Sequence, residues 1–357
     1  MKKIILLFIL LVPIQIQAYS SSATSTVLMD MDSLNVIYSN NMNQVRSVAS
    51  ISKIMTAITA IESANIYDTL TIGNEILDAY GSGIYIKEGE QITLESLLYG
   101  LMLRSGNDAA LAIAKYVGGD VETFVKMMNE KAQKIGMKDS VFHNPHGLDE
   151  DGGNQSTAYD MALLTSYAMK NEVYRKIVST KNYTLKTDMN YYSWTNKNKL
   201  LHSHSYITGG KTGFTDIARR TLVTTASKDN INLVVVTLND GDDFRDHISL
   251  FEEAFSKLQN HPILRQGEIN IIDEEYYLND KLYIENNFNF TVDKNLPNKV
   301  LLNFKLEKKA SYTSGDEVGI VEVLINDKKV HEEKIYVNKK ESISFFQKLK
   351  NWFKNLW

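Results

Sequence analysis

Three short motifs stand in order along the chain: Ser50-Ile51-Ser52-Lys53, then Ser105-Gly106-Asn107 about 55 residues on, then Lys211-Thr212-Gly213 about 105 further. Singly each is commonplace. As an ordered set they require a fold in which a helix start, a polar turn and a strand, distant in sequence, converge on one cleft. After Ile51 the apolar residues Ile54, Met55 and Ile58 recur at helical spacing, so Ser50 sits at or near a helix N-terminus. A serine and a lysine three positions apart share one helical face, which brings the amine within reach of the hydroxyl. The helix N-terminus adds partial positive charge where an alkoxide would form. A lysine at its ordinary pKa of about 10.4 is protonated near neutrality and useless as a base. Lys53 therefore has to be desolvated or crowded by a cation, and Lys211 is the candidate. The pattern predicts serine acyl transfer with a lysine as general base.

Rival chemistries find less support. No G-x-S-x-G elbow occurs, and Tyr80-Gly81-Ser82-Gly83 does not fit one. His202, His204, His143 and His146 show no metal-ligand motif such as H-E-x-x-H and read as packing or solvated side chains. With no cysteine there is neither a thiolate nucleophile nor a cysteine-bound zinc. No metal and no cofactor are expected.

The periodicities predict a mixed α/β region over about 19–260. Strands are expected at Val27–Asp32 and Val36–Tyr38, and helices at Leu94–Leu103, Ala109–Val117, Val121–Ile135 and Asp246–Leu258. A hairpin is expected from Thr221–Thr225 and Ile231–Leu238 across Lys228-Asp229-Asn230. Beyond His261-Pro262 alternating runs predict a small all-β domain at 262–338, with Asn326-Asp327 as a hairpin turn. The start, Met1-Lys2-Lys3 followed by the apolar run Ile4–Val12 and the small residue Ala18, reads as a signal peptide over 1–18. The formal charge of −4 hides an asymmetry. Lys339, Lys340, Lys348, Lys350 and Lys354 outweigh Glu341 at the C-terminus, and the body is strongly acidic, which argues against a nucleic-acid partner.

With these motifs in place, the chain resembles a known family, the low-molecular-mass penicillin-binding proteins that act as D-alanyl-D-alanine carboxypeptidases. The resemblance rests on Ala49–Thr56, on Ser105-Gly106-Asn107-Asp108-Ala109, on Asn144-Pro145-His146-Gly147-Leu148, on Ser156–Met161 and on Lys211-Thr212-Gly213-Phe214-Thr215-Asp216. It implies a β-lactamase/transpeptidase-like catalytic domain, with peptidoglycan stem peptides as substrate and β-lactam antibiotics as acylating ligands. It implies Ser50 as nucleophile, Lys53 as its base, and Ser105 and Asn107 as assisting groups. The N–H groups of Ser50 and Phe214 would form the oxyanion hole. Lys211, Thr212 and Arg245 would face the substrate's terminal carboxylate, with Lys197 a further candidate. Gly213 is expected to let a substrate backbone approach an edge strand. Phe214 stands where some relatives have histidine.

Three alternatives remain open: a class A-like β-lactamase, an endopeptidase acting on cross-links, and a catalytically inactive wall-binding protein. The string Glu275-Tyr276-Tyr277-Leu278-Asn279 matches a β-lactamase E-x-x-L-N motif but follows Lys211 instead of preceding it. Intact Ser50, Lys53 and Lys211 argue against an inactive protein.

Phe345, Phe346, Leu349, Trp352, Phe353, Leu356 and Trp357 form one helical stripe, with Lys348, Lys350 and Lys354 off it. Residues 339–357 are thus expected to be an amphipathic helix lying on the outer face of the cytoplasmic membrane, too short and too charged to span it.

Overall fold

The computed structural model describes residues 19–149, 152–271, 275–294 and 299–339. The expected signal peptide, and the terminal helix beyond Lys339, lie outside them. No helix among the described residues is long and apolar enough to cross a membrane.

The chain forms two compact units, one made mainly of residues up to 256 and the other mainly of those from 257 onward. The first is built on a five-stranded sheet in the order Val36–Asn40, Ser25–Asp30, Ile231–Leu238, Arg219–Lys228, Ile207–Thr215. Its central strands are buried almost throughout, which is why Ile231–Leu238 reads as a nearly continuous apolar run. Asp229 and Asn230 both take positive φ in the tight turn before Ile231, the conformation that a two-residue hairpin loop requires. The strand carrying Lys211 is at the sheet edge, with Phe214 opposite Arg220 and Lys211 opposite Val223.

The helices follow local rules. Val121–Ile135 is capped by the Asp120 carboxylate, which accepts from the Thr123 N–H at 2.7 Å, and it stops at Gly136 in the left-handed region. Ala158–Ala168 is capped by Thr157 and packs on the Ser25–Asp30 strand. The helix expected over Leu94–Leu103 is α only as far as Tyr99. Gly100–Arg104 widens into a π turn, and Ser105 takes φ +65. Such π turns collect at functional sites, because the extra residue re-aims the side chains beyond it. Periodicity does not signal it, since Gly100–Leu103 remain buried and apolar like the turns before them.

The second unit is all-β. Leu258–Leu264 pairs with Phe288–Asp293, and a second sheet runs in the order Gly267–Ile269, Lys281–Ile284, Lys328–Asn338, Glu317–Ile325, Val300–Leu306. Alternate residues such as Val321, Val323, Ile335 and Val337 fill its own core. Asn326 and Asp327 turn the last hairpin with positive φ.

Candidate active site

A 3₁₀ turn, Ala49–Ser52, leads into the helix Lys53–Ser63. Ala49 has φ +50, a conformation that costs a residue with a side chain about 1–3 kcal/mol and persists only where its surroundings enforce it. Part of that enforcement is Gly147. Its φ is +85, and a Cβ there would lie 2.2 Å from the Ala49 carbonyl oxygen and 2.6 Å from Ser52 Oγ. The 144–148 segment can therefore press against the nucleophile turn only with glycine at this position.

That contact places a backbone carbonyl that the side-chain motifs do not reveal. Lys53 Nζ lies 3.0 Å from Ser50 Oγ and donates to Asn107 Oδ1 at 2.7 Å and to the His146 carbonyl. Ser50 Oγ itself lies 3.4 Å from the same carbonyl. Lys53 is fully buried, and burial holds its amine well below the ordinary lysine value, with the charges of Lys211 and then Lys197 adding to the shift and Asp108 opposing it. Lys211 is also buried and is lowered to about 7, first by burial and then by Lys197, while its Nζ donates to the Thr212 carbonyl at 2.7 Å. His146 is lowered to about 3 by burial and by Lys53, so its imidazole is neutral at physiological pH.

The second motif is fastened to the segment 80–85. Asn107 N–H donates to the Ser82 carbonyl (2.7 Å), and its Nδ2 to the Tyr80 carbonyl (2.5 Å). The Asp108 carboxylate accepts from the N–H groups of Ile84 and Tyr85. Ser82 is thereby set in the cleft, where Lys197 Nζ reaches its Oγ at 3.2 Å. The cleft has a volume of about 470 Å³ and is lined among others by Ser50, Ser105, Lys197, Thr212, Gly213, Phe214 and Arg220. The structure thus brings together Ser50, Lys53, Ser105, Asn107, Lys211, Thr212, Gly213 and Phe214.

One expectation needs correction. Arg245 does not line the cleft: its guanidinium is 70% exposed and pairs with Asp242 at 2.6 Å. The helix there begins at Asp243 and turns Phe244 into the cleft, so the next residue, about 100° round, points elsewhere. The arginine that lines the cleft is Arg220, held by a two-point contact to Asp243 and stacked over Phe244 at 5.5 Å. Two of its five donors are used by Asp243, which leaves others for a carboxylate. Gly213 is also required by the packing of the chain itself. A Cβ on it would meet Thr221 Oγ1 at 2.4 Å and the backbone nitrogens of Ser50 and Ile51 at 3.0 and 3.1 Å. Its missing side chain lets the edge strand lie against the chain's own nucleophile turn.

The histidines weighed as metal ligands form no such site. Among the described residues no cluster of histidine and carboxylate side chains could hold a metal. Glu275 belongs to the second unit, in which the neighbouring Tyr277 is part of the core.

A half-buried serine beside a buried lysine amine, joined by an Asn-bearing turn and an edge strand carrying a second lysine, is the arrangement of a serine acyl-transfer enzyme. Residues 13–242 match the profile of the peptidase S11 family, described as D-alanyl-D-alanine carboxypeptidase. The chain is 32% identical over 255 residues to D-alanyl-D-alanine carboxypeptidase DacF of Bacillus subtilis, covering 69% of this chain and 65% of that protein. It is 28% identical over 353 residues to D-alanyl-D-alanine carboxypeptidase DacC of Escherichia coli, covering 90% and 85%. Its fold matches penicillin binding protein 5 from Haemophilus influenzae with a TM-score of 0.75 at 26% identity, over 91% of this chain and 99% of that one. The chain belongs to the D-alanyl-D-alanine carboxypeptidase family, the serine hydrolases among the low-molecular-mass penicillin-binding proteins.

Proposed function

We propose that Ser50 attacks the carbonyl between the two terminal D-alanines of a peptidoglycan stem peptide. Lys53 takes the hydroxyl proton and passes it to the leaving D-alanine amine. The shortened peptide remains as an ester on Ser50 until water releases it. The observation that carries this reading is the buried, depressed-pKa amine of Lys53 at 3.0 Å from Ser50 Oγ. Burial and the neighbouring amines move its proton affinity in the direction a general base requires. The N–H groups of Ser50 and Phe214 serve as the oxyanion hole, a kind of site in which losing one donor costs about 3–4 kcal/mol. Ser105 and Asn107 assist proton transfer and orient the substrate amide. Lys197 and, in place of Arg245, Arg220 supply the positive charge for the terminal carboxylate, with the Thr212 hydroxyl and Lys211 beside them.

A β-lactam acylates the same serine. Mass spectrometry of the purified protein after penicillin should map the adduct to the Ser50 peptide. Ser50→Ala should abolish both D-alanine release and labelling, and labelling that persists would sink the assignment. Glu275→Ala should leave penicillin turnover unchanged; loss of a rapid turnover would restore the β-lactamase reading.

The leader and the apolar stripe near the C-terminus support a location outside the cytoplasm on the membrane surface, and the separate core of the second unit supports a distinct domain following the catalytic one. Deleting residues 341–357 should release the protein from the membrane fraction with its activity on a small peptide unchanged. Retention on membranes would overturn the anchor.

A further inference from the structure

The hairpin Asn182–Lys186/Tyr191–Thr195, absent from the sequence expectations, has one face in the core and one in solvent. Its inner face is fixed firmly. Tyr183 stacks on Tyr99 at 3.8 Å, Trp194 packs beside them, and the buried Glu90 accepts from Tyr192 Oη (2.9 Å) and Thr187 Oγ1 (2.6 Å). The outer face carries hydroxyl and amide groups and little charge. Here the outward residues are Asn182, Thr184, Tyr191, Ser193 and Thr195, and Lys186 is the one charge among them. Thr195 lies opposite Asn182 and donates to its Oδ1 at 2.9 Å, and Ser193 lies opposite Thr184.

This face continues the active site. The outward series 191, 193, 195 passes next to Lys197, which lines the cleft. The strand Tyr191–Thr195 carries this series over about 13 Å, ending two residues before Lys197. At the far end Tyr191 is 70% exposed, and Tyr85 is 79% exposed with its carbonyl accepting from Tyr192 Oη at 3.4 Å. Hydroxyl and amide groups both donate and accept, as sugar hydroxyls do, and an exposed phenol ring offers an apolar face with a polar tip. A stem peptide held in the cleft by its C-terminus must leave it by one wall towards the polymer that carries it. The hairpin is a rigid wall with matching chemistry and no carboxylate on its outward positions, so docking there immobilises little that is not already fixed.

We propose that the outer face of this hairpin is a docking surface for the uncharged, hydroxyl-rich polysaccharide to which the stem peptides are attached, so that polymer-borne substrate is used better than the same peptide free in solution. This rests on the carboxypeptidase reading above. The test compares D-alanine release from glycan-linked stem peptides with release from a free peptide of the same sequence, in the full-length protein. In the double variant Tyr85→Ala/Tyr191→Ala, kcat/KM on the glycan-linked substrate should fall roughly 5- to 10-fold, and penicillin acylation and the free-peptide rate should not change. Ser193→Glu, a second variant on the same face, should act in the same direction. No change on either substrate, or an equal fall on both, overturns the proposal. So does an effect of the glutamate without one of the tyrosine pair, which would mean simple repulsion of the substrate's carboxylates. Wild-type protein that releases D-alanine from neither substrate would instead overturn the underlying reaction.

Discussion

Lys211→Met removes a buried amine while nearly keeping its volume, and its effect on stability should depend on pH in a calculable way. Burial and the nearby Lys197 lower this amine to about 7 in the folded protein, from an ordinary 10.5. Between those values the unfolded chain binds the proton and the folded one does not, so stability rises with pH across that interval and the contribution is smallest below pH 7. Each pKa unit corresponds to 1.36 kcal/mol, and integrating from pH 7 to pH 9 gives a gain of about 2 kcal/mol from this one group. The variant should lack that gain. Lys53 should shift in the same direction, because Lys211 is the largest charge effect holding its amine down, so relieving it shrinks the pH dependence further. Urea denaturation of both proteins at pH 7 and pH 9 measures the difference. The acid limb of penicillin acylation should also move to higher pH in the variant, since Lys53 then keeps its proton longer. Equal changes in stability with pH for the two proteins, together with an unmoved acid limb, would refute the claim that burial lowers these amines and that the two are coupled.

Gly147→Ala should cost about 2–5 kcal/mol, from the left-handed backbone and a clash with backbone that cannot rotate away. It should also slow acylation of the folded fraction, because the His146 carbonyl is pushed from beneath Lys53; denaturation and stopped-flow labelling read the two effects separately. Arg220→Ala should raise KM for peptides ending in D-Ala-D-Ala about 10-fold, the loss of a charge-assisted contact worth about 1.5 kcal/mol. Arg245→Ala should change neither KM nor stability by a measurable amount, because its partner Asp242 is an exposed neighbour one turn away on the surface.

What the sequence alone determined is whatever depends on neighbours a few positions apart. Ser50 and Lys53 share a face because helical geometry puts them there, Asp120 and Gly136 bound a helix through caps, and Asp229-Asn230 and Asn326-Asp327 turn hairpins because those residues tolerate positive φ. The ordered motifs also announced the chemistry, since only certain side chains can perform it. The 182–195 hairpin was not among the expectations, although Tyr183, Leu185, Tyr192 and Trp194 alternate strictly with polar residues. Other features were decided only by packing between segments far apart in sequence. The Lys53 amine is oriented by the His146 carbonyl, and a main-chain oxygen leaves no trace in residue types. Arg220 and not Arg245 lines the cleft, because the phase of the helix starting at Asp243 sets which side chain turns inward. Gly213 and Gly147 are glycines because chain segments from elsewhere occupy the space of their missing Cβ atoms. The low proton affinities of Lys53 and Lys211 arise the same way: removal from water and the approach of like charges are properties of the assembled interior, and no stretch of sequence contains them by itself.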